Sequence, residues 1–84
     1  MATLRVLLVD DHALVRAGMR SLLQDIADIE VVAEASDGAE ALAVAERERP
    51  DVVLMDIAMK GMNGLEAAAR LRERQPQAKI IILS

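Results

Sequence analysis

The sequence predicts an α/β domain in which helices cover a parallel β-sheet. Four short apolar runs alternate with three segments of helical periodicity, and capping or helix-breaking residues separate them. This βαβα order is typical of a parallel sheet, because each helix returns the chain to the end at which the next strand begins. The 84 residues suffice for one small domain of this kind but not for two.

The four apolar runs are the predicted strands. They comprise Leu4–Val9, Glu30–Ala35, Val52–Met55 and Ile80–Leu83. The first, third and fourth runs are apolar at nearly every position. A strand with one solvated face alternates apolar and polar residues, so these three runs predict strands that are buried on both faces.

Three segments between the strands have the periodicity of amphipathic helices, namely Leu14–Leu23, Gly38–Arg49 and residues 64–74. Apolar residues recur in them at intervals of three or four, which places these residues on one helical face. The positions expected to face the core are Val15, Met19, Leu22 and Ile26 in the first helix, Ala39, Leu42 and Ala45 in the second, and Leu65, Ala68 and Leu71 in the third.

Both later helices begin with a residue that can cap the helix. Asp37 and Asn63 each precede a Gly, and Glu follows three residues after each of them, at Glu40 and Glu66. A side-chain oxygen at the N-cap accepts a hydrogen bond from a free backbone N–H of the first turn. The sequence therefore predicts where both helices begin.

The composition argues against several classes of function. The net charge is −4, and Phe, Tyr, Trp and Cys are absent. Such a chain has neither a basic face for phosphates nor aromatic rings for base stacking, so we expect it to bind no nucleic acid. No apolar run approaches the roughly 20 residues that span a bilayer, and no cationic leader precedes the first strand. We therefore expect a cytoplasmic protein without a membrane partner.

Three carboxylates follow two of the predicted strands. Asp10 and Asp11 come directly after the first strand, and Asp56 comes directly after the third. If the strand order is 2-1-3-4, these two strands are neighbours and their carboxyl ends meet at one edge of the sheet, where ligands bind in open α/β folds. Like charges that are so close repel each other, and Mg²⁺ with its preference for oxygen ligands would relieve that repulsion.

Other roles for these residues remain open from the sequence alone. Asp11 could simply cap the first helix, and His12 is expected to be a solvated residue of the first helical turn rather than a catalytic one. Enzyme classes fit less well. A dinucleotide-binding site requires a Gly-rich turn where Asp10-Asp11-His12 stands, and a dehalogenase-type phosphatase requires a second Asp at the position of Ala58.

Taken together, the motifs resemble the receiver domain of two-component response regulators. The residues that carry the resemblance are Val6–His12, Val52–Met59, Met62–Gly64 and Ile80–Ser84. Residues 10–20, Asp-Asp-His-Ala-Leu-Val-Arg-Ala-Gly-Met-Arg, are especially similar to the LuxR-type subfamily, in which a helix-turn-helix DNA-binding domain follows the receiver. The resemblance covers the whole chain.

The resemblance implies a flavodoxin-like fold with the strand order 2-1-3-4 and a role for each motif residue. Asp56 would be the phosphoacceptor. Asp10 and Asp11 would hold Mg²⁺ or Mn²⁺ together with Asp56 and the backbone carbonyl of Ala58. Ser84 stands where the family has the hydroxyl that moves to bond the phosphoryl group, so it would be the switch residue.

Two departures from the family accompany this resemblance. Lys60 stands where the family commonly has Pro, and we expect it to be an exposed loop residue. Family receivers also continue through a helix, a fifth strand with an essential Lys and a final helix. Residues 1–84 would thus be a C-terminally truncated receiver that lacks the fifth strand and the last helices, and the DNA-binding output domain would belong to the parent protein.

The sequence therefore predicts a phosphoprotein of a two-component system rather than an enzyme, with at most self-catalysed phosphotransfer and dephosphorylation. Its partners would be a sensor histidine kinase and, through the parent's output domain, DNA. The alternative is a truncated fragment that does not switch and associates with itself as a dimer or domain-swapped oligomer, because a bare apolar strand edge is a template for pairing with another chain.

Overall fold

The computed structural model describes residues 3–59, 61 and 63–83. Four strands and three helices alternate along the chain, as the sequence predicts. The elements are β1 (Leu4–Val9), α1 (Ala13–Gln24), β2 (Ile29–Ala35), α2 (Gly38–Glu48), β3 (Val52–Asp56), α3 (Gly64–Arg74) and β4 (Lys79–Leu83).

All strand pairs are parallel, and the sheet order is β2-β1-β3-β4. The predicted fold class and strand order are therefore confirmed. β1 lies at the centre between β2 and β3, with Val9 opposite both Ala35 and Met55. The order reverses after β2, so α1 lies on one face of the sheet and α2 and α3 lie on the other.

The hydrophobic core lies between the sheet and the pair of helices α2 and α3. Leu7, Val53 and Met55 of the strands are completely buried there and pack with the helical residues Ala45 and Leu71. The many alanines of α2 and α3 let these helices approach the sheet closely. Since no large aromatic side chain is available, close packing of small residues is how this core excludes water.

The prediction of the inward faces of α2 and α3 had one wrong position in each helix and missed further buried residues. The buried residues are Gly38, Ala41, Leu42, Val44 and Ala45 in α2, and Gly64, Ala67, Ala68 and Leu71 in α3. Ala39 is exposed, and Leu65 is 58% exposed, so both predictions were wrong. The glycine at the start of each helix is buried, and the residues three and four positions later share its face.

Both predicted N-caps are present. Asp37 Oδ1 accepts a hydrogen bond of 2.7 Å from the Glu40 N–H, and Asn63 Oδ1 accepts one of 2.8 Å from the Glu66 N–H. In a capping box, the Glu three residues after the N-cap accepts a hydrogen bond from the N-cap backbone N–H. The two glutamates have other partners here. Glu40 accepts from the N–H and the hydroxyl of Ser36, and Glu66 pairs with Arg70.

The other face of the sheet is covered less completely than predicted. α1 has no buried residue; Val15 is exposed and Leu22 is 72% exposed, and the predicted inward residue Ile26 is exposed two positions beyond the end of the helix. In β4, Ile80 and Ile82 pack against the core, but Ile81 is 42% exposed on the opposite side. The prediction that β4 is buried on both faces was wrong, because within the described residues no element covers that side of it.

No helix within the described ranges combines the length and apolar character needed to cross a membrane.

Candidate functional site

The ends of β1 and β3 position the three predicted carboxylates. The last residues paired in register between these strands are Val9 and Met55. Asp10 follows β1 directly, and Asp56 is the last residue of β3, where it pairs with Leu83 of β4. Both aspartates therefore lie at the same edge of the sheet, and Asp11 follows Asp10 in the turn that leads into α1. Their proximity is thus a consequence of parallel pairing between neighbouring strands.

The carboxylates form one compact cluster. Asp10, Asp11, His12 and Asp56 each contribute one ligand atom, and all four atoms lie within 4.8 Å of one another. Asp10 is only 6% exposed, while Asp11 and Asp56 are half-buried and His12 is exposed. A single small cation could therefore contact several of these groups at once, as predicted for the three aspartates.

The backbone N–H, the carboxylate and the carbonyl of Asp10 all make hydrogen bonds. Its N–H donates to the carbonyl of Ala35 on β2 at 3.1 Å. Its Oδ1 accepts from the His12 N–H at 2.8 Å and lies 3.2 Å from the His12 ring Nδ1. Its carbonyl oxygen accepts from Arg16 Nη1 at 2.6 Å. These contacts leave little freedom for the Asp10 backbone.

Asp11 does not cap the first helix. The N-cap of α1 is His12, whose side chain makes no capping hydrogen bond. Asp11 Oδ1 is instead buried and accepts no hydrogen bond from the described residues, although the His12 Nδ1 lies 2.9 Å away without hydrogen-bond geometry. A buried carboxylate oxygen without a donor is costly. The environment of Asp11 therefore fits an oxygen ligand of a cation better than a helix cap.

The loop after β3 holds Asp56. One carboxylate oxygen, Oδ1, accepts a hydrogen bond of 3.1 Å from the Ala58 N–H, and the Ile57 N–H donates to the carbonyl of Leu83 on β4. Gly64, the first residue of α3, donates its N–H to the carbonyl of Ile57 at 3.2 Å. The backbone around Asp56 is thus fixed by β4 on one side and by α3 on the other.

The comparison with protein families identifies this arrangement. Residues 6–84 match the family model of the response regulator receiver domain. The chain belongs to the response regulator receiver domain family.

Relatives and solved structures agree with this assignment. The chain is similar to the response regulator protein VraR of Staphylococcus aureus, with 45% identity over 82 residues, which are 98% of this chain and 39% of that protein. It is also similar to the transcriptional regulatory protein LiaR of Bacillus subtilis, with 47% identity over 96% of this chain and 38% of that protein. The chain thus spans less than half the length of these curated relatives.

Two solved structures share the receiver fold with high similarity. One is the signal receiver domain of the putative response regulator NarL from Mycobacterium tuberculosis, with a TM-score of 0.91, 36% identity and coverage of 98% of this chain and 66% of that one. The other is a two-component response regulator of the LuxR family from Aurantimonas sp., with a TM-score of 0.91, 41% identity and coverage of 96% and 58%. The predicted resemblance to the LuxR-type receivers is confirmed.

The receiver fold brings together three of the five predicted site residues, Asp10, Asp11 and Asp56. Ala58 is exposed two residues after Asp56, and its carbonyl as a metal ligand stays a prediction. Ser84, the predicted switch residue, and Lys60 lie outside the described residues.

Two features of this receiver site were missed from the sequence. The first is the contact of Gly64 with the Asp56 backbone, although its signal, a Gly directly after an N-cap, was visible. The second is an ion-pair group that joins Arg16 and Arg20 of α1 to Glu34 of β2. Its signal was Glu34, the second of two glutamates in the otherwise apolar strand β2, together with two arginines spaced four residues apart in α1.

The two arginines change the acidity of Glu34. The hydrogen bond from Arg20 lowers the pKa of Glu34, and Arg16 lowers it further, while partial burial opposes this shift. Glu34 therefore remains charged and ties α1 to the edge strand β2 next to the carboxylate cluster.

Proposed function

We propose that this chain is the phosphoacceptor part of a two-component receiver domain, in which Asp56 takes a phosphoryl group from a sensor histidine kinase. The observation that carries this proposal is the convergence of Asp10, Asp11 and Asp56 within 4.8 Å of one another at the carboxyl ends of β1 and β3. In the transfer, a carboxylate oxygen of Asp56 forms a bond to phosphorus while the bond to the donor atom breaks, and the donor keeps the electron pair.

A divalent metal such as Mg²⁺ or Mn²⁺ fits the donor set. Asp10, Asp11 and Asp56 would hold it, with the backbone carbonyl of Ala58 as a further ligand, and the unpaired Asp11 Oδ1 is the oxygen that most needs a cation. When bound, the metal would neutralise the negative charge of the phosphoryl group. The chain's own contribution is to hold Asp56 in place through the Ala58 N–H and to keep the acidic pair rigid.

The remaining roles belong to the longer protein of which such a chain would be part. The relative LiaR is named a transcriptional regulatory protein. By analogy, we propose that phosphorylation here controls a DNA-binding output domain of a parent protein in the cytoplasm, with Ser84 as the switch hydroxyl. The receiver itself would act as a signalling module, with only self-catalysed phosphotransfer and dephosphorylation.

The decisive experiment is phosphorylation with a small-molecule donor. The native chain is incubated with acetyl phosphate and Mg²⁺, and intact-mass spectrometry should show the addition of one phosphoryl group. Asp56→Asn should abolish this addition, as should chelation of the metal. The matched control Asp25→Asn removes an exposed carboxylate at the end of α1 and should leave the addition of the phosphoryl group unchanged. Phosphorylation of Asp56→Asn, or none of the native chain, would refute the proposal.

A second candidate function is self-association without switching. It is favoured by the exposed apolar residues of α1 and by Ile81 of the edge strand β4, which is exposed on the sheet face opposite the core. Apolar side chains at a free strand edge promote pairing with a second chain. The acetyl phosphate experiment separates the two candidates, because a fragment that only associates with itself would gain no phosphoryl group on Asp56.

A further inference from the structure

We propose that Arg16 is a positioning residue of the receiver site, which orients the Asp10–Asp11 peptide and thereby the acidic pair. This inference rests on the proposed metal-binding function. It concerns a residue of α1 that lies outside the carboxylate cluster and outside the roles assigned above. Its starting point is the contact between Arg16 Nη1 and the carbonyl oxygen of Asp10, at 2.6 Å.

Arg16 is fixed at two points. Its side chain is 19% exposed, and besides the Asp10 contact its Nε donates to Glu34 Oε1 at 3.1 Å. The guanidinium group is planar, so two donors that are both occupied set its position and its direction. A lysine has a single donor centre and could not make both contacts in the same geometry.

The anchor of Arg16 lies on the same strand that already holds Asp10. The Asp10 N–H donates to the carbonyl of Ala35, and Glu34 is the residue before Ala35. The backbone of Asp10 is thus tied to β2 twice, directly through its N–H and indirectly through its carbonyl, Arg16 and Glu34. Arg20 pairs with the other oxygen of Glu34. Within the described residues, Arg20 makes no hydrogen bond to Asp10.

The orientation of the Asp10 carbonyl matters for Asp11. A peptide unit is planar, so the direction of the Asp10 carbonyl also fixes the Asp11 nitrogen and Cα. The Asp11 Oδ1 accepts no hydrogen bond among the described residues. Apart from the His12 Nδ1 that lies 2.9 Å from this oxygen, the backbone is what places the carboxylate, and Arg16 is a side chain that holds this part of the backbone.

A positioning role and a purely electrostatic role predict opposite effects of removing Arg16. A positive charge near a cation site weakens cation binding, so loss of the charge alone should raise the affinity for Mg²⁺. Loss of positioning should lower it, since removal of groups that orient metal ligands typically weakens metal binding by about 10-fold to 100-fold. The sign of the change therefore separates the two roles.

The test is a titration with Mg²⁺ alone, by calorimetry at fixed ionic strength. We expect Arg16→Met to bind Mg²⁺ about tenfold more weakly than the native chain. The matched control Arg20→Met removes the same charge from the same helix and from the same Glu34, and should bind as tightly as the native chain or more tightly. Equal loss in both variants would assign the effect to Glu34 or to α1 as a whole and would overturn the proposal.

A second variant keeps the test decisive if Arg16→Met does not fold. Arg16→Lys retains the charge but loses the two-point bridge, so we expect its affinity for Mg²⁺ to fall below that of the native chain. Native affinity in Arg16→Lys would show that only the charge matters and would refute the positioning role.

A measurement without metal distinguishes this inference from the proposed function. The carbonyl ¹³C chemical shift of Asp10 reports the hydrogen bond that its oxygen accepts. It should change in metal-free Arg16→Met and stay the same in Arg20→Met. A native chain that binds no Mg²⁺ would refute the proposed function, while the carbonyl shift would still decide whether Arg16 orders the Asp10–Asp11 peptide. An unchanged shift in Arg16→Met would overturn the inference.

Discussion

The backbone carbonyl oxygen of Asp56 lies 2.5 Å from the position that a Cβ atom would occupy on Gly64. The Cα of Ile57 lies 2.8 Å from the same position. Only a residue without a side chain allows the start of α3 to lie so close to the backbone of Asp56. The requirement for glycine arises from this close approach, because backbone atoms cannot move aside as the end of a flexible side chain can.

We therefore expect Gly64→Ala to destabilise the chain by about 1–3 kcal/mol, the usual cost of forcing extra atoms into a packed site. Urea unfolding measures this change. The control is Gly18→Ala in the middle of α1, where no described atom outside the surrounding turns of the helix lies within 4 Å of the added Cβ. Alanine is the better helix former there and should stabilise the chain by about 0.5–1 kcal/mol. Native stability of Gly64→Ala would contradict the close contact.

The second prediction concerns Asp11, whose buried Oδ1 lacks a hydrogen-bond donor among the described residues. In the absence of metal, Asp11→Asn removes a half-buried negative charge that lies beside Asp10 and Asp56, so it should raise the free energy of unfolding. With Mg²⁺ bound, the native chain should instead be more stable than Asp11→Asn. At a Mg²⁺ concentration of about 100 times its Kd, binding stabilises the native chain by about 2.7 kcal/mol, and the variant should lose most of this gain.

Urea midpoints with and without Mg²⁺ check this reversal, and Asp25→Asn, on the exposed end of α1, should behave like the native chain in both conditions. A Mg²⁺-dependent stabilisation that survives in Asp11→Asn would show that Asp11 is not a ligand.

The third prediction concerns pH. The arginines hold the pKa of Glu34 below its ordinary value of 4.5. A carboxyl group whose pKa is lowered by folding stabilises the folded state above its ordinary pKa, and this stabilisation disappears as the pH falls through the lowered pKa. Glu34→Gln should thus be less stable than the native chain at neutral pH, and the difference should shrink below pH 4.5.

The measurement is urea unfolding at a series of pH values. Glu30→Gln changes an exposed carboxylate on the same strand and is the matched control, with no expected effect. If the difference between Glu34→Gln and the native chain were independent of pH, the ion-pair group would not contribute to folding stability.

Most of the fold and the centre of the site could be predicted from the sequence because both follow from local patterns. Alternation of strands and helices determines a parallel sheet, and carboxyl ends of neighbouring strands meet at one edge, which brings Asp10 and Asp56 together. The caps at Asp37 and Asn63 depend on contacts only three residues apart, so the helix starts were also predictable.

The errors have a common physical origin in contacts between distant parts of the chain. Periodicity shows that Val15, Leu22 and Ile26 share a helical face, but it cannot show whether another element covers that face. Leu65 is the larger side chain, yet the close approach of Gly64 to Asp56 decides which face of α3 is inward. The contact between Arg16 and Asp10 depends on the angle between α1 and the sheet, which no local pattern specifies.

The last prediction concerns the apolar surface that the described residues leave open. Leu22 on α1 and Ile81 on β4 are both exposed, and β4 is an edge strand whose outer backbone groups can pair with another strand. We expect the native chain to associate with itself, so that its molar mass by light scattering exceeds that of one chain and rises with concentration. Ile81→Lys should reduce this association if the edge of β4 is the contact, and Leu22→Glu should reduce it if the contact is α1.

The controls add the same charges at polar, exposed positions nearby, with Gln77→Lys before β4 and Gln24→Glu on α1. Neither should change the molar mass. Association that resists both apolar substitutions would place the contact elsewhere. A molar mass of one chain at every concentration would rule out self-association.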